Sequence, residues 1–296
     1  MDEATSNSQN RVPPKPWFAR DARYRGQFLA ELVCCWVQRW GYTSDQVLEY
    51  MYPPRPRLGY DLSRRGLLKR HKRPTGVSVK DGIHVYSLTD AGYEIAEDIL
   101  SSEILRIEHS ASPAWSIMQH LLDCQRISIA LLMRAEKSGW RTEPESRAVY
   151  PAKAKIVPDI VDIENGHWIE YDKTPKENKR LDYWTQLLSR RINQQPDPLQ
   201  KQRGCDNFAI RKITVVVRKD DQVDRYRRYF DREYAGFLYR DPDTRLIKEN
   251  RDKPNVVIRD AFADRVHVTT LRDLLLDCRT GQRTEYYGPP DAPSFS

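Results

Sequence analysis

Asp159, Glu170 and Asp172 lie close together in the stretch IVPDIVDIENGHWIEYDK, residues 156–173. Glu170 and Asp172 are two apart, so in a strand they share one face while Ile169 and Tyr171 share the other. Asn165-Gly166 between two apolar alternating runs is a hairpin signal, and a hairpin brings Asp159 back beside the acidic pair. Three converging carboxylates repel one another unless a cation intervenes. A divalent ion with oxygen ligands, Mg2+ or Mn2+, resolves that conflict, with nearby lysines assisting. The bland alternative is an exposed acidic hairpin that holds no ligand.

The chain that must position these acids has 296 residues, 39% hydrophobic and 31% charged, enough apolar material for one large domain or two. Its net charge of +7 favours polyanionic partners. The five cysteines show no C-x-x-C spacing, which fits reduced thiols in a cytoplasm better than a disulfide framework or zinc. No apolar run is long enough to span a membrane, and the N-terminus carries no signal core, so the expected location is cytoplasmic, with no membrane partner.

Residues 1–20 and 286–296 read as polar, proline-containing tails. Between them, residues 21–110 begin with a helical pattern from Ala22 to Trp40, stopped by Gly41, and a short helix capped by Thr43 or Ser44. The segment from Arg55 to Arg73 then carries eight Lys or Arg against the single acid Asp61, with Leu58, Leu62 and Leu68 as a buried side. A hairpin is expected over VSVKDGIHVYSL (77–88), followed by another helix. Helix, helix, basic helix, hairpin, helix is the order of a winged helix-turn-helix. The basic helix then suits the major groove, while Arg57, Arg64, Arg65, Lys69, Arg70 and the wing residue Lys80 suit DNA phosphates. Gly66 limits the extent of that helix. A protein-contact winged helix with a solvated basic face is the alternative.

Residues 111–285 open with a long amphipathic helix from Ala114 to about Lys137, ending at Gly139-Trp140. His109 and His120 lie near it, and a lone histidine on such a helix reads as structural. A strand (RAVYP, 147–151) precedes the acidic hairpin. A helix from Lys176 to about Asn193, the strand ITVVV (213–217), a helix over 222–235, strands at NVVIR and RVHV, and a helix from Leu271 follow. Helix, three strands, helix, strand is the order of a restriction-endonuclease-like core. The expected fold class is therefore α/β (α+β): an N-terminal winged helix-turn-helix followed by a nuclease-like core.

Pro158-Asp159 followed by Glu170-Tyr171-Asp172-Lys173 resembles the active-site hairpin of the PD-(D/E)XK nuclease superfamily. The pattern departs at Asp172, which stands where that superfamily carries its lysine; Lys173, Lys176 and Lys179 are the available replacements. More widely, the chain resembles the replication-relaxation family and the MOB-C class of relaxases of plasmids and mobile elements. The resemblance covers about 22–280. It rests on Leu88-Thr89-Asp90-Ala91-Gly92, Gly139-Trp140 with Glu143, Pro158-Asp159, Trp168 through Thr174, and the helix with Lys179 and Tyr183. It implies metal-dependent nicking of one DNA strand at a transfer origin. A non-catalytic replication initiator or repressor with an inactive core is the alternative, which Asp172 favours; a protein-interaction adaptor is a third. No His-hydrophobic-His triplet is present, which excludes the commoner relaxase design.

Under this resemblance Asp159 and Glu170 are the expected ligands of Mg2+ or Mn2+, and Asp172 adds a ligand or orients a metal-bound water. Lys179, one helical turn from Tyr183, is expected to stabilise charge on the phosphate. Glu143 is a further candidate. Whether water or a tyrosine attacks is left open, Tyr171 and Tyr183 reading as packing residues. Double-stranded and locally single-stranded DNA are the expected partners, alongside other conjugation or replication proteins.

Overall fold

The computed structural model describes residues 25–51, 57–75, 84–100, 113–131, 140–149, 156–174, 176–193 and 209–280. The two expected tails, His109 and Lys80 lie outside these residues. The chain is an α/β protein.

The N-terminal unit contains α1 (Arg25–Trp40), β1 (Thr43–Ser44), α2 (Asp45–Met51), α3 (Leu58–Arg64), β2 (Leu68–Lys72), β3 (His84–Leu88) and α4 (Asp90–Ile99). Val33, Cys34, Trp36, Val37 and Trp40 recur at helical spacing on α1, and all are buried. Gly41, at φ 86°, closes that helix in the left-handed region, its N–H bonded to the Val37 carbonyl at 2.7 Å. Ser44 caps α2, accepting from the Val47 N–H at 3.2 Å, and Thr89 caps α4, accepting from the Gly92 N–H. The three strands are antiparallel in the order β1-β3-β2, with Leu68 opposite Leu88.

One expectation is corrected here. The basic segment is not one helix: Gly66, at φ 75°, breaks the chain after Arg64, and β2 begins at Leu68. Lys69 and Arg70 are therefore strand residues. The strand expected at 77–79 lies outside the described residues; β3 pairs instead with β2, supplied by the second half of the basic segment.

The second unit begins with α5 (Trp115–Leu131), followed by β4 (Trp140–Thr142), α6 (Glu143–Val149), β5 (Ile160–Asp162), β6 (His167–Asp172), α7 (Asn178–Asn193), β7 (Lys212–Val217) and α8 (Asp220–Phe230). Two small ribbons follow, β8 (Tyr234–Ala235) with β11 (Val256–Val257), and β9 (Leu238–Arg240) with β10 (Ile247–Glu249). α9 (Arg259–Phe262), β12 (Val266–Thr270) and α10 (Leu271–Thr280) complete it. The main sheet has the order β12-β7-β6-β5-β4; β4, β5 and β6 run antiparallel, whereas β6, β7 and β12 are parallel. Of the strand expected at RAVYP, residues 147–149 are helical and the rest lies outside the described residues; Thr142 and Glu145 start that helix with a reciprocal cap. The Glu145 N–H donates to Thr142 Oγ1 at 3.3 Å and the Thr142 N–H to Glu145 Oε2 at 2.8 Å.

The sheet separates two apolar layers. Ile160, Ile169, Tyr171 and Val216 pack with α5 and the N-terminal helices. Val161, Trp168, Ile213, Val215 and Val217 pack with α7, α8 and α9. α5 belongs to the same buried cluster as α1 and α2, so the N-terminal unit and the sheet share one core. Polar ties cross that seam. Trp36 Nε1 donates to Gln125 Oε1 at 2.9 Å, Gln125 Nε2 to the Tyr42 carbonyl at 2.7 Å, and Arg39 pairs with Glu145 at 2.7 Å.

Candidate functional site

The hairpin forms because Asp162, Asn165 and Gly166 make its turn. The Asn165 N–H donates to Asp162 Oδ1 at 3.1 Å. Gly166 sits at φ 64°, where a Cβ would stand 2.1 Å from the Ala209 carbonyl oxygen, so only glycine fits. Ile160 pairs with Ile169, which sets Asp159, one residue earlier, across from Glu170. Asp159 Oδ2 accepts the Tyr171 N–H at 2.7 Å, leaving Oδ1 turned to the α5 side.

Glu170 and Asp172 lie on the α7 face with Trp168. Their cation is Lys176, whose Nζ is 2.7 Å from Asp172 Oδ2 and 3.6 Å from Glu170 Oε1. Lys176 stands in the connection before α7, over the Trp184 ring at 5.1 Å. Arg225 of α8 holds that connection by donating to the Lys176 carbonyl and, at 2.9 Å, to Asn178 Oδ1. This corrects the expectation for Lys179, which is exposed on the first turn of α7 while Lys176 reaches the acids. Asp172 is likewise engaged by Lys176 and acts as its anchor. Tyr183 is buried and packs with Leu187 and Leu238.

Crowded carboxylates change their protonation. Burial raises the Glu170 carboxyl to about 8, and the neighbouring Asp159 adds to the rise while Lys176 opposes it. Asp172 is also raised by burial, against the opposing charge of Lys176. Glu170 Oε2 is buried without a hydrogen-bond partner among the described residues. The carboxylate oxygens of Asp159 and Glu170 are of the type that would fit a divalent ion.

Further groups complete the cluster: Glu143, a candidate from the sequence; His120 and Tyr171, expected as structural and packing residues; and Cys124 and Asp123, which sequence reasoning passed over. His120 Nε2, on α5, lies 3.2 Å from Asp159 Oδ1 and 3.8 Å from Glu143 Oε2. Cys124, one helical turn along, has its sulfur 3.6 Å from the same nitrogen. His120 stacks on the Tyr171 ring (centroids 5.4 Å, planes at 21°), and the Tyr171 hydroxyl donates to Asp123 at 2.8 Å, fixing the imidazole. Burial disfavours a charge on His120, but the Asp159 hydrogen bond and the charges of Asp159, Glu143 and Glu170 outweigh it and raise its pKa. The available signal was the i, i+4 spacing of His120 and Cys124. His167, by contrast, bonds to Thr214 Oγ1 at 2.8 Å and is pushed down to about 3 by burial, which fits a neutral structural role.

On the N-terminal unit Arg57, Arg64, Arg65, Lys69 and Arg70 are all exposed, Arg70 over the Tyr60 ring at 5.8 Å. They span α3 and β2, which adjoin. No helix among the described residues is long and apolar enough to cross a membrane. Comparison with protein-family models, curated proteins and solved structures finds no match to this chain.

Proposed function

We propose that this chain binds DNA through an N-terminal winged helix-turn-helix and cuts one strand with a PD-(D/E)XK-type site, as a relaxase of the replication-relaxation kind acting at a transfer origin. Lys176 carries the reading. The acidic hairpin lacks lysine at its usual position, and Lys176 supplies a buried ammonium within reach of both Glu170 and Asp172. Three further features support it. The strand order β1-β3-β2, with α1 before β1 and α2 and α3 between β1 and β2, suits a winged helix. The antiparallel β4-β5-β6 followed by a parallel crossover to β7 suits a nuclease-like core. Exposed cations on α3 and β2 suit phosphates.

In this mechanism Asp159 and Glu170 would hold Mg2+ or Mn2+, which would supply Lewis-acid polarisation of the scissile phosphate. Lys176, oriented by Asp172 and by the Arg225 clamp on its backbone, stabilises the negative charge that develops on the phosphate oxygens. His120 is the one imidazole at the cluster among the described residues, its Nε2 3.2 Å from Asp159 Oδ1. The inactive-core alternative draws support from Asp172 at the lysine position. The deciding experiment incubates the protein with supercoiled plasmid carrying its native neighbouring DNA, with Mn2+ or with EDTA. Nicks that require Mn2+ and disappear in Asp159→Asn are expected. Sequence-specific DNA binding without nicks would instead favour the initiator or repressor.

A further inference from the structure

The ligand atoms of His120, Cys124 and Asp159 all lie within 4.8 Å of one another, the one such trio of His, Cys, Asp or Glu among the described residues. We propose that these three residues form a nitrogen–sulfur–oxygen site for a borderline divalent metal such as Co2+ or Zn2+, with Glu143 on its fourth side. The inference rests on the reading that a cation is held at Asp159, and it changes which cation that is.

The spacings argue for it. Ligands at tetrahedral angles around a zinc-sized ion, with metal–nitrogen and metal–oxygen lengths of about 2.0–2.1 Å and a metal–sulfur length of about 2.3 Å, stand about 3.6 Å apart for nitrogen to sulfur and about 3.3 Å for nitrogen to oxygen. The observed separations from His120 Nε2 are 3.6 Å to Cys124 Sγ and 3.2 Å to Asp159 Oδ1. Glu143 turns Oε2 toward the same nitrogen at 3.8 Å, while its Oε1 is held by Arg147 at 2.7 Å. The set is pre-oriented. Tyr171 fixes the His120 ring by stacking and Asp159 Oδ2 through its N–H, and α5 carries both His120 and Cys124. It is also reachable: the His120 and Glu143 side chains are 27% and 22% exposed, so the ion enters from that edge.

The donor types set the preference. Thiolate and imidazole favour Co2+ and Zn2+, whereas Mg2+ takes oxygen ligands. Burial, followed by the charges of Asp159 and Glu143, raises the Cys124 thiol well above its ordinary value, so the sulfur is protonated until a cation arrives. Loading therefore releases the Cys124 thiol proton to solvent.

The test titrates the full chain with Co2+ under reducing conditions and records its absorption. A near-ultraviolet thiolate-to-cobalt charge-transfer band is expected. Cys124→Ser should remove that band. His120→Ala should weaken Co2+ binding at least about tenfold while leaving Mg2+ affinity within about twofold. Should Cys124→Ser misfold, Cys124→Ala takes its place, and a band that survives in a folded Cys124 variant comes from another of the five cysteines and overturns the site. Co2+ binding that depends on Asp159 but gives no band overturns the thiolate–imidazole site and leaves an oxygen site standing. Absence of any Co2+, Mn2+ or Mg2+ binding overturns this inference and the cation reading together.

Discussion

Arg57, Arg64, Arg65, Lys69 and Arg70 stand in water on the N-terminal unit, whereas Asp159, Asp172 and most of Glu170 and Lys176 are withdrawn against the main sheet. The same charges do different work in the two settings. On the exposed face each cation is screened and contributes little to folding, but is accessible to a phosphate. Against the sheet each charge depends on a named neighbour, and removing that neighbour leaves an uncompensated ion in a poorly solvated place. Folding stability should therefore respond strongly to the buried set and weakly to the exposed set, and DNA affinity the other way round.

The largest effect is expected from Lys176→Ala, which strands Glu170 and Asp172 without their cation. Loss of about 3 kcal/mol of stability at about pH 8 is expected by urea unfolding. The loss should shrink toward about pH 5, because Glu170, raised to about 8 in the fold, is then protonated. Nicking should fall by about 10²–10³. An unaltered urea midpoint at both pH values would mean that the buried pair is already neutral.

Glu170→Gln should act with the opposite sign. Folding raises this carboxyl from its ordinary 4.5 to about 8, so the folded chain binds the extra proton and metal-free stability declines as pH rises between those values. Removing the charge should stabilise the metal-free protein at about pH 9 by roughly 1–3 kcal/mol, with no gain at about pH 4. Mn2+ binding, measured by calorimetry, should be lost. A destabilised variant at high pH would show that the ionised Glu170 is better served by Lys176 than the crowding of acids suggests.

How much of this contrast was legible beforehand follows from the same physics. The strand positions of Asp159, Glu170 and Asp172 were readable because strand alternation and an Asn-Gly turn fix the register, but among the described residues their three carboxylates do not gather as one trio within ligand reach. Lys176 was readable only as one of three available lysines, because it lies in the connection before α7, where no period dictates direction; its position is set by Asp172 and by Arg225 from a distant helix. His120 and Cys124 were hidden by the burial of α5 between two units. Polar Gln119, Asp123, Gln125 and Ser128 are buried alongside apolar Met118, Leu122 and Ile127, so no single stripe identifies a functional face. The basic segment was legible in composition but not in conformation, because Gly66 converted its second half to a strand.

Replacing Arg64, Arg65, Lys69 and Arg70 together by Ala should change stability little, within about 0.5 kcal/mol per site. Duplex affinity should fall, and the dependence of log affinity on log salt should flatten by up to about four units if each cation meets one phosphate. Fluorescence anisotropy across a salt series measures this. Affinity unchanged in a folded variant would assign DNA contact to another surface.

The smallest effect is expected from Lys179→Ala, although its spacing from Tyr183 made it the natural choice for the catalytic lysine. Helical periodicity places residues four apart on one side but does not say what that side faces. Tyr183 is buried with Leu187 and Leu238, away from the acids, and Lys179 emerges into solvent on the first turn. Lys176 meets the carboxylates before the helix begins. Lys179→Ala should therefore keep stability within about 0.5 kcal/mol and nicking within a few-fold, any loss growing weaker as salt is raised, as for a single exposed phosphate contact. Lys176→Ala measured beside it should retain its defect at every salt concentration, because its partners are shielded from mobile ions. Should Lys179→Ala prove the more damaging of the two in the nicking assay, the start of α7 must rearrange when DNA binds, and the buried Lys176 pair belongs to a resting arrangement that substrate replaces.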